Sequence, residues 1–229
     1  MKTAIVLPSF KKGDSTSTNN YRPISLLNSM SKIFEKVVFY QIYEYFDKEK
    51  LFYISQYGFR KDHSTEYTCI EFLDRIMKDL DQGKNPISIF IDLSKAFDTI
   101  NHPILIDKLK YYGLDNNSVQ WFHSYLSNRN QLVVIENTFS DKRNISTGVP
   151  QGSVLGPLLF IIYINDLFYA TKKFKPILFA DDTTLISTVC AFVSNVNDRS
   201  SISDHINNEL DQIHEWLCAN KLSLNTEKN

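Results

Sequence analysis

Asp181 and Asp182 stand side by side in the run Ile177-Leu178-Phe179-Ala180-Asp181-Asp182-Thr183-Thr184-Leu185, whose other residues are apolar or β-prone. Two carboxylates interrupting such a run are predicted to sit at a hairpin tip, with residues 176–180 ascending and 183–187 descending. Asp is common at turns because its side chain bonds nearby backbone, so the pair by itself also fits an ordinary turn. A third acid, Asp92, closes the dense apolar stretch Ile87-Ser88-Ile89-Phe90-Ile91-Asp92-Leu93. A strand this apolar is predicted to be buried on both faces or to lie beside another sheet layer. Asp92 at its end is then costly unless it is hydrogen-bonded, paired or bound to a metal. If the two strands pair, all three acids meet at one edge of a sheet. Clustered carboxylates in that setting need a cation, and Mg²⁺ suits them because it takes oxygen ligands and is shared with substrate phosphates. Two such ions about 3.5–4 Å apart can activate an attacking hydroxyl and steady a leaving phosphate.

Two further stretches have composition suited to an anionic ligand. The segment through Lys36 carries Lys2, Lys11, Lys12, Arg22, Lys32 and Lys36 against only Asp14 and Glu35. It reads either as a solvated face or as a phosphate clamp, with Lys as point charge and Arg as fork. The glycine-rich Thr147-Gly148-Val149-Pro150-Gln151-Gly152-Ser153-Val154-Leu155-Gly156-Pro157 leads into an apolar helix predicted over 154–169. The start of that helix, with unbonded N–H groups behind a glycine-rich loop, suits a phosphate or a close backbone approach; a tight turn into a core helix is the alternative.

The elements that would position these groups follow from periodicity and caps. Helices are predicted over 33–45, from Ser64 or Thr65 to about Leu80, over 103–112 closed by Gly113, over 117–126 capped by Asn116 or Asn117, and from a Ser203 cap to about Asn220. Strands are predicted near Ala4, over 131–136 with a return over 141–146, and at Leu222-Ser223-Leu224-Asn225. Gln56-Tyr57-Gly58-Phe59-Arg60-Lys61 reads as a loop.

With 229 residues, 43% hydrophobic and 22% charged, the chain suits one large domain or two small lobes rather than a disordered or membrane class. A net charge of −1 gives no overall electrostatic footprint for nucleic acid, although a basic groove can coexist with an acidic back. Cys69, Cys190 and Cys218 are sparse and lack metal-ligand spacing. With no signal-peptide layout and no apolar run long enough for a bilayer, an intracellular location, nucleus or cytoplasm, is expected, and no membrane partner.

Taken together, the motifs resemble those of reverse transcriptases. Phe90-Ile91-Asp92-Leu93-Ser94-Lys95-Ala96-Phe97-Asp98 resembles the family's first catalytic motif. The stretch from Gly148 to Pro157 is similar to its template- and nucleotide-contacting motif, and Phe179-Ala180-Asp181-Asp182 to its catalytic hairpin. Asn20-Tyr21-Arg22-Pro23-Ile24-Ser25-Leu26-Leu27 and Gln56-Tyr57-Gly58-Phe59-Arg60 occur in the family's order as well, and the wording is nearest to jockey-like retrotransposons without long terminal repeats.

The resemblance implies an α+β fold, the fingers and palm of a right-hand polymerase, with an antiparallel palm sheet backed by helices and the thumb absent. Fingers would span 1–85 with an insertion at 113–147, and palm 86–112 and 148–229. It implies RNA-directed DNA polymerisation: transfer of dNTPs to the 3′-hydroxyl of a DNA primer on an RNA template, with two Mg²⁺ ions for which Mn²⁺ could substitute. Asp92, Asp181 and Asp182 would hold the metals, with the Leu93 carbonyl completing a shell. Lys11, Lys12 and Arg22, and with them Arg60 and Lys61, would grip the triphosphate. Phe97, five residues after Asp92, would crowd a ribose 2′-hydroxyl, and Gln151 and Gly152 would line the nucleotide and template pocket. Lys228 would donate a proton to pyrophosphate. An RNA-directed RNA polymerase, which Phe97 opposes, and an inactive retroelement fragment that at most binds nucleic acid are the competing expectations.

Overall fold

The computed structural model describes residues 2–189 and 199–225. In chain order its strands are β1 (Thr3–Phe10), β2 (Tyr21–Leu26), β3 (Pro86–Asp92), β4 (Arg129–Ile135), β5 (Thr138–Phe139), β6 (Arg143–Ile145), β7 (Lys175–Phe179) and β8 (Asp182–Thr188). Its helices are α1 (Ser29–Lys48), α2 (Thr65–Asp81), α3 (Ala96–Thr99), α4 (His102–Tyr111), α5 (Asn116–Leu126), α6 (Leu155–Tyr163) and α7 (Arg199–Ala219). Two compact units are built from interleaved segments: Met1–Leu51 with Phe97–Ile162, and Phe52–Ala96 with Tyr163–Asn229.

The first unit holds a sheet in the order β2-β1-β4-β5, with β6 also paired to β4. β1 and β2 are antiparallel, whereas β1 and β4 run parallel, with Thr3 opposite Asn130 and Val6 opposite Val133. Helix starts are fixed by short polar side chains that accept otherwise orphaned backbone N–H groups. Asn28 accepts from Met30 N, Asn101 from Ile104 N and Asp115 from Ser118 N. The caps correct two sequence-based starts. Helix α1 begins at Ser29 rather than near Ile33, and Asp115 caps α5 instead of Asn116 or Asn117. The core of this unit is α6, whose Leu155, Leu158, Leu159, Phe160, Ile161 and Ile162 are all buried, as its all-round apolar character requires. That helix stops at Tyr163 and the chain turns before a short 3₁₀ turn at Leu167–Ala170, so it is shorter than the predicted span.

The second unit holds a three-stranded antiparallel sheet in the order β3-β8-β7, which α2 contacts through β7 and β3. Ser64 caps α2 by accepting from Tyr67 N. Helix α7 begins at Arg199, placing Ser203 inside the helix rather than at its cap. The double-sided burial expected of β3 is not found: Phe90 is 71% exposed. The sheet is antiparallel, and such a sheet can leave one face to solvent. Tyr163 is fully buried and donates its hydroxyl to the Asn220 carbonyl at 2.6 Å, fastening the end of α6 to the residue after α7.

Removing that hydroxyl leaves a buried acceptor without its donor. Tyr163→Phe is expected to cost about 1–2 kcal/mol. The check is urea unfolding, in which the midpoint falls while the slope stays constant.

Candidate functional site

In the second unit the register of β3 and β8 decides where the acids go. Asp92 pairs with Asp182 at one end of the ladder, and Pro86 with Thr188 at the other. Asp182 also pairs with Phe179 of β7, so the hairpin tip is Ala180 and Asp181 alone. This moves Asp182 from the predicted tip onto the first position of β8. Directly opposed residues project to the same sheet face, so Asp92 and Asp182 share one face with Asp181 next along the chain. Asp92 and Asp181 are half-buried and Asp182 is exposed.

Backbone direction sharpens this arrangement. The segment after α7 adds itself to the free side of β3: Asn225 N donates to Asp92 O at 2.9 Å and Ser94 N to Ser223 O at 2.8 Å. Leu93 lies opposite Leu224 between these two bonds. Because successive residues of a strand turn their backbone groups to opposite sides, the Leu93 carbonyl faces the β8 side. By the same rule Asp92 and Asp182 form a pair without mutual backbone bonds, the kind whose Cα atoms lie about 4.5 Å apart with side chains close. The Asn225 amide donates to Asp92 Oδ2 at 2.7 Å and orients that carboxylate.

The hairpin is held from the other side by the Gln56 motif, which the sequence presented as a loop. Leu178 N donates to Ser55 O and Tyr57 N to Leu178 O, both at 2.8 Å, making Gln56 a parallel bridge partner of Leu178. Gln56 is 0% exposed, and its Oε1 accepts from Gly58 N at 2.8 Å and from Ala180 N at 3.3 Å. Ala180 has φ of +55°, a conformation that a non-glycine residue adopts only when its surroundings enforce it. Gly58 presses against it, since a Cβ at position 58 would come within 2.8 Å of Ala180 Cα. This motif is in turn anchored on α2. Glu71 accepts from the Ser55 and Tyr57 hydroxyls and pairs with Arg75. Burial, then the Glu71 carboxylate, pushes the Tyr57 phenol up to about 12. Arg60 belongs to the same scaffold: its guanidinium lies 4.9 Å over the Phe52 ring and donates to Tyr53 O at 3.4 Å. Lys61 beside it is exposed.

The remaining predicted residues lie in the first unit. Lys11, Lys12 and Arg22 are all exposed on the β1–β2 hairpin and its loop. Phe97 is half-buried with its ring stacked 4.8 Å from Phe160. Around the glycine-rich loop, Phe97 O accepts from Val149 N, Ile100 O from Gly148 N, and His102 Nε2 donates to Gly148 O at 2.7 Å. Burial lowers the His102 pKa, which favours the neutral ring. Gln151 donates to Asp98 Oδ1 at 3.0 Å and its carbonyl accepts from Ser25 N at 2.7 Å. Gly152 has φ of +127° and lies so close to Ser25 that a Cβ would stand 2.5 Å from its carbonyl oxygen. A polar cleft of about 340 Å³ adjoins this loop, lined by Asp98, Gln131, Asn144 and Gln151 among others.

One predicted property of the loop is overturned. The N-terminal amides of α6 are already occupied: Glu35 Oε2 accepts from Val154 N at 2.7 Å and Leu155 N at 3.4 Å, and Ser153 Oγ accepts from Gly156 N. Glu35 is 1% exposed. A buried carboxylate on the positive end of a helix satisfies its dipole and repels a phosphate from the same place. Arg129, also buried, donates to Tyr125 O at 3.1 Å, and it and Glu35 both act on the Tyr125 phenol, which burial pushes up. Nothing in the sequence pointed to Glu35 beyond its place on a helix, since the apolar periodicity there runs through Ile33, Val37 and Tyr40, which are exposed. Lys228 lies outside the described residues.

The donor set at the β3–β8 end consists of hard oxygen ligands, which is the right chemistry for Mg²⁺ or Mn²⁺. Among the described residues no three acidic, imidazole or thiolate groups converge closely enough to hold an ion as they stand. No described helix is long and apolar enough to cross a membrane.

Comparison with known proteins agrees with this geometry. Residues 10–229 match the family model described as reverse transcriptase (RNA-dependent DNA polymerase). The chain is 34% identical over 199 residues to a probable RNA-directed DNA polymerase from transposon BS of Drosophila melanogaster, covering 81% of this chain and 21% of that protein. It is 28% identical over 232 residues to the RNA-directed DNA polymerase from mobile element jockey of the same organism, covering 99% of this chain and 25% of that one. It thus spans about a fifth to a quarter of these relatives. Solved telomerase structures share the fold: one from Candida albicans gives a TM-score of 0.58 at 14% identity, covering 100% of this chain and 41% of that one. Another from Candida tropicalis gives 0.55 at 18% identity, covering 100% and 51%.

Two substitutions test the supports. Gly58→Ala is expected to displace the hairpin tip, costing about 1–3 kcal/mol and accelerating hydrogen exchange at the Ala180 amide. Glu35→Ala strands two amides of α6 and is expected to cost about 1–3 kcal/mol, whereas Glu35→Gln, which keeps an acceptor in place, costs less. Equal losses for the two Glu35 variants in urea unfolding would refute the capping role.

Proposed function

Since the chain belongs to the reverse transcriptase (RNA-dependent DNA polymerase) family, with its palm-and-fingers fold, we propose that it extends a DNA primer with dNTPs on an RNA template. The observation that carries this reading is the register that sets Asp92 directly opposite Asp182, beside Asp181 on a two-residue tip. These carboxylates, with the Leu93 carbonyl, would hold two Mg²⁺ ions, for which Mn²⁺ could substitute. When bound, such ions ease deprotonation of the primer 3′-hydroxyl and offset charge on the leaving pyrophosphate.

The chain's own groups supply the rest. Asn225 holds the Asp92 carboxylate in one plane, and the Gln56 amide holds the tip that bears Asp181. Lys11, Lys12 and Arg22 provide positive charge for the triphosphate, with Lys61 a further candidate; Arg60 acts as scaffold. The Phe97 ring, set against Phe160, crowds a 2′-hydroxyl and so selects deoxynucleotides. Gln151 and Gly152 line the pocket for nucleotide and template, and Lys228 donates a proton to pyrophosphate. Positioning and charge neutralisation suffice for phosphoryl transfer without covalent participation. Segments 1–85 and 113–147 correspond in this reading to fingers, and 86–112 and 148–229 to palm.

Incorporation of labelled dNTP on a primed RNA template, by this chain and by a longer polypeptide containing it, is the test. Asp92→Asn and Asp181→Asn are each expected to lower incorporation at least about a hundredfold. Phe97→Ala is expected to retain dNTP use and to admit ribonucleotides. Incorporation indifferent to Asp181 would refute the assignment.

A further inference from the structure

At the opposite end of the β3–β8 ladder lies a second charged feature that the polymerase reading does not use. Asp92 lies six residue steps from Pro86, about 20 Å at the usual rise per residue. There a cleft of about 430 Å³ opens between α2 and the β7–β8 pair. Its walls carry five cations: Arg75, Lys78 and Lys84 from α2 and the turn after it, and Lys173 and Lys175 from the start of β7. One acid, Asp79, lines it with them.

The lysines of the β7 wall stand on a backbone that is pinned at three points. Buried Glu209 accepts from Thr171 Oγ1 at 2.7 Å, Lys172 N at 3.0 Å and Lys173 N at 3.2 Å. Burial opposes its ionisation, but these bonds outweigh that and keep its carboxyl below the usual range. Ser187 Oγ donates to Lys173 O at 2.8 Å, and Arg75 donates to Lys175 O at 3.4 Å. A merely solubilising loop has no need of such fixing. On the α2 wall, Lys78 pairs with Asp74 at 2.6 Å and Lys84 with Asp79 at 3.7 Å. Exposed pairs of this kind contribute little, so these amines can turn to a phosphate at small cost. Gln82, Ser187 and Thr188 add hydrogen-bonding groups of the sort that contact phosphate and sugar, and among the described residues none that lines the cleft is aromatic.

We propose that this cleft is a second nucleic-acid site, binding the sugar–phosphate backbone of a single strand without regard to sequence. The choice of nucleic acid over another polyanion rests on the family assignment above. The charge and the fixed walls then make it a backbone site, remote from the carboxylates.

Fluorescence anisotropy of a labelled single-stranded RNA, titrated with the chain in EDTA over a range of salt, is the experiment. Lys173→Ala with Lys175→Ala is expected to weaken binding about tenfold. It should also flatten the plot of log affinity against log salt by about 1.4, the loss of two single-strand phosphate contacts. Lys110→Ala with Lys142→Ala, which removes the same charge from exposed positions elsewhere, is expected to leave both unchanged. Unaltered binding by the cleft pair, or equal weakening by both pairs, overturns the site. So does cleft-dependent binding of anionic lipid vesicles without binding of RNA. If the alanine pair fails to keep the native circular dichroism, Lys173→Gln with Lys175→Gln replaces it under the same criteria. The readout needs neither divalent metal nor turnover, so a negative result removes this cleft and leaves the polymerase reading to its own test.

Discussion

Like charges placed directly opposite one another destabilise a strand pair, and the β3–β8 register does this with Asp92 and Asp182 while Asp181 follows at the tip. Packing of the sheet alone would favour relaxing that end. The geometry is instead held from outside the acids. Gln56, with no exposed surface, bonds the Ala180 amide and keeps it at positive φ, while Gly58 leaves room for the tip only because it has no side chain. On the other edge the segment from Leu222 to Asn225 adds its backbone to β3. Two short stretches far apart in sequence thus share one task, keeping the carboxylates together.

The same economy governs the glycine-rich loop of the first unit. Its backbone is bonded by Ser25, Phe97, Ile100 and His102, and the helix it enters is capped by Glu35. The helix end is therefore spent on structure rather than offered to a ligand. Burying Glu35 is tolerable because its Oε2 accepts from two backbone amides. The loop's capacity for a ligand lies in its side chain Gln151 and in the adjoining polar cleft.

Much of this was legible in the residues and some was not. Asp92 at a strand end and the Asp181–Asp182 hairpin were readable because apolar alternation and an interrupting acid are local signals. The apolar α6 announced its burial for the same reason. Exposure of Phe90 was not readable, since it depends on which face of the antiparallel sheet is left uncovered, and composition does not reveal that. The Gln56 support left no periodic trace either, because it is a single bridge to Leu178 rather than a ladder. Glu35 meets Val154 across a sequence separation of 119, and the pairing of β1 with β4 is equally non-local. Local chemistry was visible; what clamps it was distributed across the chain.

The group chosen to orient Asp92 is itself informative. Asn225 donates to Oδ2 through a neutral amide. A lysine or arginine there would orient the carboxylate as well, but it would neutralise the charge and compete with any cation for the same oxygens. An amide fixes the plane and leaves the negative charge in place. Gln56 follows the same logic at the tip, where a neutral carbonyl restrains the backbone next to Asp181 without adding another anion to an already acidic edge. These two amides are thus polar enough to fix direction and carry no charge of their own. That combination fits a site built to hold hard cations better than one built to bury three acids in an inert turn.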